Sequence, residues 1–127
     1  MKYLVDTHIV LWVAANSPLL SERAKAAILD KSSEIYVSIV SAWEVAIKLG
    51  TRKLNLDGGL SEFFRMIDDN GFITLPIGRN YLLKLQNLSD FHKDPFDRLI
   101  VATATIEDMI LITADVNLHR YGTPWLW

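Results

Sequence analysis

Five short apolar runs punctuate the chain: "KYLVD", "EIYVS", "FITLPI", "ILITAD" and "TPWLW". Most are continuous rather than alternating, the pattern of strands covered on both faces. Pro76 halts the third. Longer stretches of helical character lie between them. "THIVLWVAA" is apolar nearly all round, so it is expected to be buried or paired with a partner. "SPLLSERAKAAILDK" carries a helix from about Ser21, with Glu and Lys on its wet face. "SAWEVAIKLG" is expected to start at Ser41 and stop at Gly50. "LSEFFRMIDDNG", ending at Gly71, "RNYLLKLQNL" and "DPFDRLIVATATIEDM" complete the helices. Short strands alternating with helices predict α/β layering around a largely parallel sheet.

Composition narrows the class. The chain has 127 residues, half of them hydrophobic and 22% charged, which suits one globular domain with a sizeable core. No repeat, low-complexity tract or interdomain linker is visible. Cysteine is absent, so neither a disulfide framework nor a thiolate zinc site can form, and a cytoplasmic setting is expected. The N-terminal "MKYLVDTHIVLWVAA" has the ingredients of a secretion signal, but Asp6 and His8 interrupt its apolar run. No segment approaches membrane-spanning length. The net charge is −2, so any contact with nucleic acid needs local positive charge, for instance from bound cations.

The acids offer a way to bind such cations. Asp6 ends the first strand, Glu44 falls in the first turn of the helix after the second, and Asp115 follows "ILIT". Ligands of open parallel sheets bind at the carboxyl ends of the strands. Asp97 joins this edge if its helix starts on the same side. Carboxylates crowded in a pocket repel, and bound divalent cations relieve the repulsion. The pattern predicts a hard-metal site for magnesium or manganese, with oxygen ligands. Thr7 and Thr113, beside the strand ends, are candidates to orient a carboxylate or a bound water.

Each acid also has a purely structural reading. Ser41 and Glu44 fit a capping box, and Glu44 fits an i,i+4 pair with Lys48. Asp94 before Pro95 reads as an N-cap, which makes Asp97 the third helical residue, where the dipole favours acids. Asp115 fits a turn, and Asp6 fits a cap for the helix from Thr7. Four such coincidences at one edge weigh toward the metal site. His8, His92 and His119 lack zinc-ligand spacing and read as surface or structural.

With these acids in place, the chain resembles the PIN-domain ribonucleases, more narrowly the VapC-type toxins of toxin–antitoxin pairs. "YLVDTHIVLW", "SAWEVAIKLGTRKLNL", "DPFDRLIVATA" and "LITAD" carry the resemblance, which spans nearly the whole chain. It implies a single PIN-like domain over residues 1–127, built as a three-layer α/β/α sandwich. It also implies an acidic pocket holding one or two Mg2+ or Mn2+ ions, with Asp6, Glu44, Asp97 and Asp115 matching the four acids by position. The activity expected is endoribonuclease cleavage of single-stranded or structured RNA by metal-activated water. A cognate antitoxin and a homodimer are the expected protein partners.

Lys48, Arg52 and Lys53 form the best basic cluster, suited to steering an RNA backbone or simply to a solvated helix end. Arg98 is a further candidate for a phosphate or a carboxylate. Trp12, Trp43, Phe63, Phe64 and Met66 read as core, or as a partner groove if exposed. Two other classes stay open. A receiver-like phosphoacceptor domain also places acids at strand ends, but here Asp6 is followed by Thr7, and "EIYVS" ends without an aspartate. A non-catalytic α/β binding module would use every acid as a cap.

Overall fold

The computed structural model describes residues 1–127, as five strands and seven helices. In chain order these are β1 (Lys2–Val5), α1 (Thr7–Ala14), α2 (Glu22–Leu29), β2 (Glu34–Ser38), α3 (Ile39–Gly50), α4 (Gly59–Asp69), β3 (Ile73–Leu75), α5 (Arg79–Leu85), α6 (Pro95–Glu107), β4 (Ile110–Ile112), α7 (Val116–His119) and β5 (Trp125–Leu126). The strands form one sheet in the order β3-β2-β1-β4-β5, with every pairing parallel. The expected three-layer sandwich is therefore present. The strand order is not the 2-1-3-4-5 of flavodoxin-like folds, the arrangement a receiver domain would share.

Side-chain alternation along the strands builds two cores. Tyr3 and Val5 of β1, Ile35 and Val37 of β2 and Ile112 of β4 face one way, packing with Ile9 and Val10 of α1, Ala24 of α2 and Phe63 and Ile67 of α4. Leu4 and Leu111 face the other way, against Tyr81 of α5, Leu99, Ile100, Val101 and Ala104 of α6 and Leu118 of α7. Continuous apolar strands are required because both faces are used. α3 contributes to both cores, through Ala42 and Val45 on one side and Val40 on the other. No helix is long and apolar enough to cross a membrane.

Several boundaries differ from the sequence reading. α3 starts at Ile39, not Ser41, because Ser38 at the end of β2 is its N-cap and accepts the Val40 amide at 3.1 Å. Ser41 is thus inside the helix and the proposed capping box does not exist. Glu44 lies in the second turn. α7 is an addition to the elements the pattern predicts, since four residues carry too little periodicity to register. β3 and β5 are shorter than their apolar runs. The core reading holds for Phe63, while Trp43 is 57% exposed and Phe64 is 36% exposed. Trp43 packs edge-on against Phe96, with ring centres 5.1 Å apart.

Candidate metal centre

β1 and β4 are neighbours, and the connections leaving them run to opposite faces of the sheet. That reversal leaves a crevice at their carboxyl ends, where open α/β sheets bind ligands. The chain exits β1 at Asp6 and β4 at Thr113, so both residues are delivered to this crevice. α3 brings Glu44 and α6 brings Asp97. Together with His8, Trp12, Lys48, Asp94, Ala114 and Asp115 they line a cavity of about 350 Å³.

Asp6 is buried, yet it leaves no polar atom unpartnered. Its Oδ1 accepts the amides of His8 at 3.1 Å and Ile9 at 3.3 Å, capping α1. Its Oδ2 accepts the Thr113 hydroxyl, and the Thr113 oxygen in turn accepts the Asp115 amide at 3.1 Å. Burial pushes the Asp6 carboxyl above its ordinary value, with the Thr113 hydrogen bond opposing. Glu44 is buried more deeply still. Its Oε1 accepts the Thr7 hydroxyl at 2.7 Å, and the Ser41 hydroxyl lies 2.9 Å from the same Thr7 oxygen. Its other oxygen pairs with Lys48 Nζ at 2.5 Å, the anticipated i,i+4 pair. The hydrogen bond to Glu44 raises the Lys48 pKa, against the effect of its partial burial.

Asp94 is the N-cap of α6, accepting Phe96 N at 2.8 Å and Asp97 N at 3.3 Å, with Pro95 at the first helical position. Asp97 is the third residue of that helix and its side chain faces the cavity. Its pKa is pushed up to about 7, first by burial and then by the negative charges of Asp94 and Glu44, with a smaller push from Asp6; His92 opposes them. Like charges crowded around Asp97 are a repulsion that a bound cation would offset. The donors are carboxylate oxygens, the set preferred by hard divalent cations. The residues therefore fit a divalent ion.

Asp115 caps α7 through Oδ1, which accepts Asn117 N at 2.9 Å. Its Oδ2 lies 2.8 Å from His92 Nε2, which is also 3.3 Å from Asp97 Oδ2. One donor atom each from His92, Asp97 and Asp115 lie within 4.8 Å of one another. His92, which the sequence reads as surface or structural, stands at the edge of the acids. Its neighbour-in-sequence Asp94 was the available signal, since both belong to the turn that starts α6. His8 also lines the cavity, whereas His119 stacks on Trp125 at 3.6 Å between ring centres, outside it.

The basic candidates divide. Lys48 is at the cavity wall. Arg52 and Lys53 lie past the end of α3, exposed. Arg98 points away: its guanidinium donates to Ser89 O at 2.9 Å and to His92 O and Tyr121 Oη at 3.3 Å, and reaches Asp90 at 3.7 Å. Those contacts tie down the loop before α6, and of the two roles read for Arg98 the carboxylate pairing is the one seen here.

The PIN domain family model matches residues 3–124. Ribonuclease VapC22 of Mycobacterium tuberculosis is 30% identical over 124 residues, covering 95% of this chain and 94% of that protein. Among solved structures, VapBC2 from Rickettsia felis, bound to a DNA fragment from its promoter, superposes with a TM-score of 0.74 at 16% identity, covering 100% of this chain and 98% of that one. A toxin–antitoxin complex from Klebsiella pneumoniae gives 0.67 at 19% identity, covering 98% and 96%. At such identities these structures speak to the fold, and the sequence matches speak to ancestry. The chain belongs to the PIN-domain family.

Proposed function

We propose that this chain is a metal-dependent endoribonuclease acting as the toxin of a toxin–antitoxin pair. One observation carries the reading: acids from four separated segments line one cavity, where burial first and like charges second push the Asp97 pKa up to about 7. Family membership and the ribonuclease relative support the same chemistry. Asp6 and Asp97 would hold Mg2+ or Mn2+, with Glu44 and Asp115 completing the site or positioning the attacking water. The ion supplies Lewis acidity toward the scissile phosphate and makes a nearby water more acidic.

The chain's own groups do the rest. Thr113 and the α1 amides fix Asp6 in one rotamer. Thr7 and Lys48 do the same for Glu44. Lys48 also sets a positive charge at the cavity wall, where a phosphate arriving from solvent meets it. Arg52 and Lys53 lie further along that route and would add steering that weakens with salt. Single-stranded RNA is the favoured substrate, because its backbone and bases are accessible. An antitoxin and a second copy of the chain are the proposed protein partners. Exposed Trp43 and Ile47 on α3, and Leu82 and Leu83 on α5, offer apolar surface for such contacts. The cytoplasm is the setting this reading expects.

The test incubates purified chain with single-stranded RNA, with and without magnesium or manganese, beside Asp6→Asn and Asp97→Asn. Cleavage should require the metal and be lost in both variants. Equal activity in the variants would remove the assignment of the site, and metal-replete protein that cuts no RNA would favour a binding module.

A further inference from the structure

The proposed chemistry leaves His92 without a task, although it lies between two of the acids. It is held there from several sides. Its amide donates to Tyr121 Oη at 3.0 Å, and its carbonyl accepts from Arg98. Arg98 also binds the carbonyls of Ser89 and Leu88. One residue earlier, Phe91 packs edge-on to Tyr121 at 5.1 Å, and the Arg120 guanidinium sits 4.4 Å above its ring. Side chains from α6 and from the turn after α7 thus immobilise the loop that presents the imidazole.

The ring's partners assign its tautomer. The Asp94 amide donates to Nδ1 at 3.0 Å. An amide N–H can only donate, so Nδ1 offers its lone pair and the neutral ring carries its proton on Nε2. That N–H faces Asp115 Oδ2 and Asp97 Oδ2, carboxylates on two separate elements. Using Nε2 as a metal ligand would require moving the proton to Nδ1 and breaking the bond to Asp94.

We propose that His92 is a positioning residue: its Nε2–H ties Asp97 to Asp115 across the mouth of the site and so preorganises both for the divalent cation. The inference rests on the metal-centre reading above. Asp115 needs such a tether most. It sits at the start of a four-residue helix, with a third of its side chain exposed. Groups that orient ligating side chains typically contribute on the order of 10–100-fold to metal affinity.

The experiment measures manganese binding by calorimetry on the full chain, together with metal-free melting, for wild type, His92→Ala, His92→Asn and His92→Gln. Asparagine can accept the Asp94 amide but does not reach the carboxylates. Glutamine reaches about as far as Nε2 with an N–H. Alanine and asparagine should weaken manganese binding by about tenfold or more, while glutamine recovers most of it. Glutamine binding manganese no better than alanine would overturn the proposal, and a loss larger for zinc than for manganese would make the imidazole a ligand instead. Tighter binding in alanine would show that the ring competes with the ion, and would also overturn it. Lower melting in all three with unchanged manganese affinity would leave only a structural role, against the proposal. Wild type that binds no manganese sinks the metal centre and this inference together. Wild type that binds manganese but cuts no RNA removes the nuclease reading alone.

Discussion

Asp97 concentrates the tension in this molecule. Its ordinary pKa is 3.8, and in the fold it is about 7, raised by burial and by Asp94, Glu44 and Asp6 against His92. Between those values the folded chain holds a proton that the unfolded chain has released. Stability of the metal-free protein must therefore fall as pH rises from about 4 to about 7 and level off beyond. Asp6, raised in the same direction, adds to the slope. Thermal melts in chelator at pH 5 and pH 8 should show the lower midpoint at pH 8, and Asp97→Asn should flatten much of the difference. A wild-type midpoint indifferent to pH would contradict the raised pKa of Asp97. By the same sign, metal binding strengthens with pH through this range, since the ion displaces the proton. The sequence left a cap and a metal ligand as competing readings of Asp6, and a turn and a metal ligand as competing readings of Asp115. The structure shows that they are compatible. One carboxylate oxygen caps a helix and so fixes the side chain, while the other faces Thr113 or His92.

The helices owe their starting points to short polar side chains. Asp94 has that role for α6, which carries Asp97 at its third position and buries Leu99 through Ala104. Asp94→Ala should cost about 1 kcal/mol in urea unfolding, the usual value of a lost N-cap. Asp94→Asn keeps an accepting oxygen, so it should stay near wild type in stability and retain metal-dependent cleavage. Loss of cleavage in the asparagine variant would mean that Asp94 ligates rather than caps. α6 was legible in advance because "DPFD" combines a cap, a first-turn proline and an acid before a long apolar run. α3 was less so. Two serines, Ser38 and Ser41, offer caps, and only the end of β2 selects Ser38. α7 was invisible for want of length, and with it the capping role of Asp115.

At the scale of the whole molecule, a pocket this negative should be stabilised by a divalent cation. Manganese at one hundred times its dissociation constant should add about 2.7 kcal/mol to the folded state. Calorimetric melting reads this directly, and a module whose acids were only caps would show no such gain. The chain's pattern by itself determined the alternation of strand and helix, the two covered faces of the sheet and the presence of acids after β1 and β4. These depend on local periodicity and on neighbours in sequence. The convergence of Asp6, Glu44, Asp97 and Asp115 around one cavity, the pairing of Thr113 with Asp6 over 107 positions, and the placing of His92 between two carboxylates were decided only by tertiary structure. Parallel strands meet through long crossovers, so which loops share an edge depends on strand order. The order 3-2-1-4-5 is a property of how the layers pack, and no short window of sequence contains it.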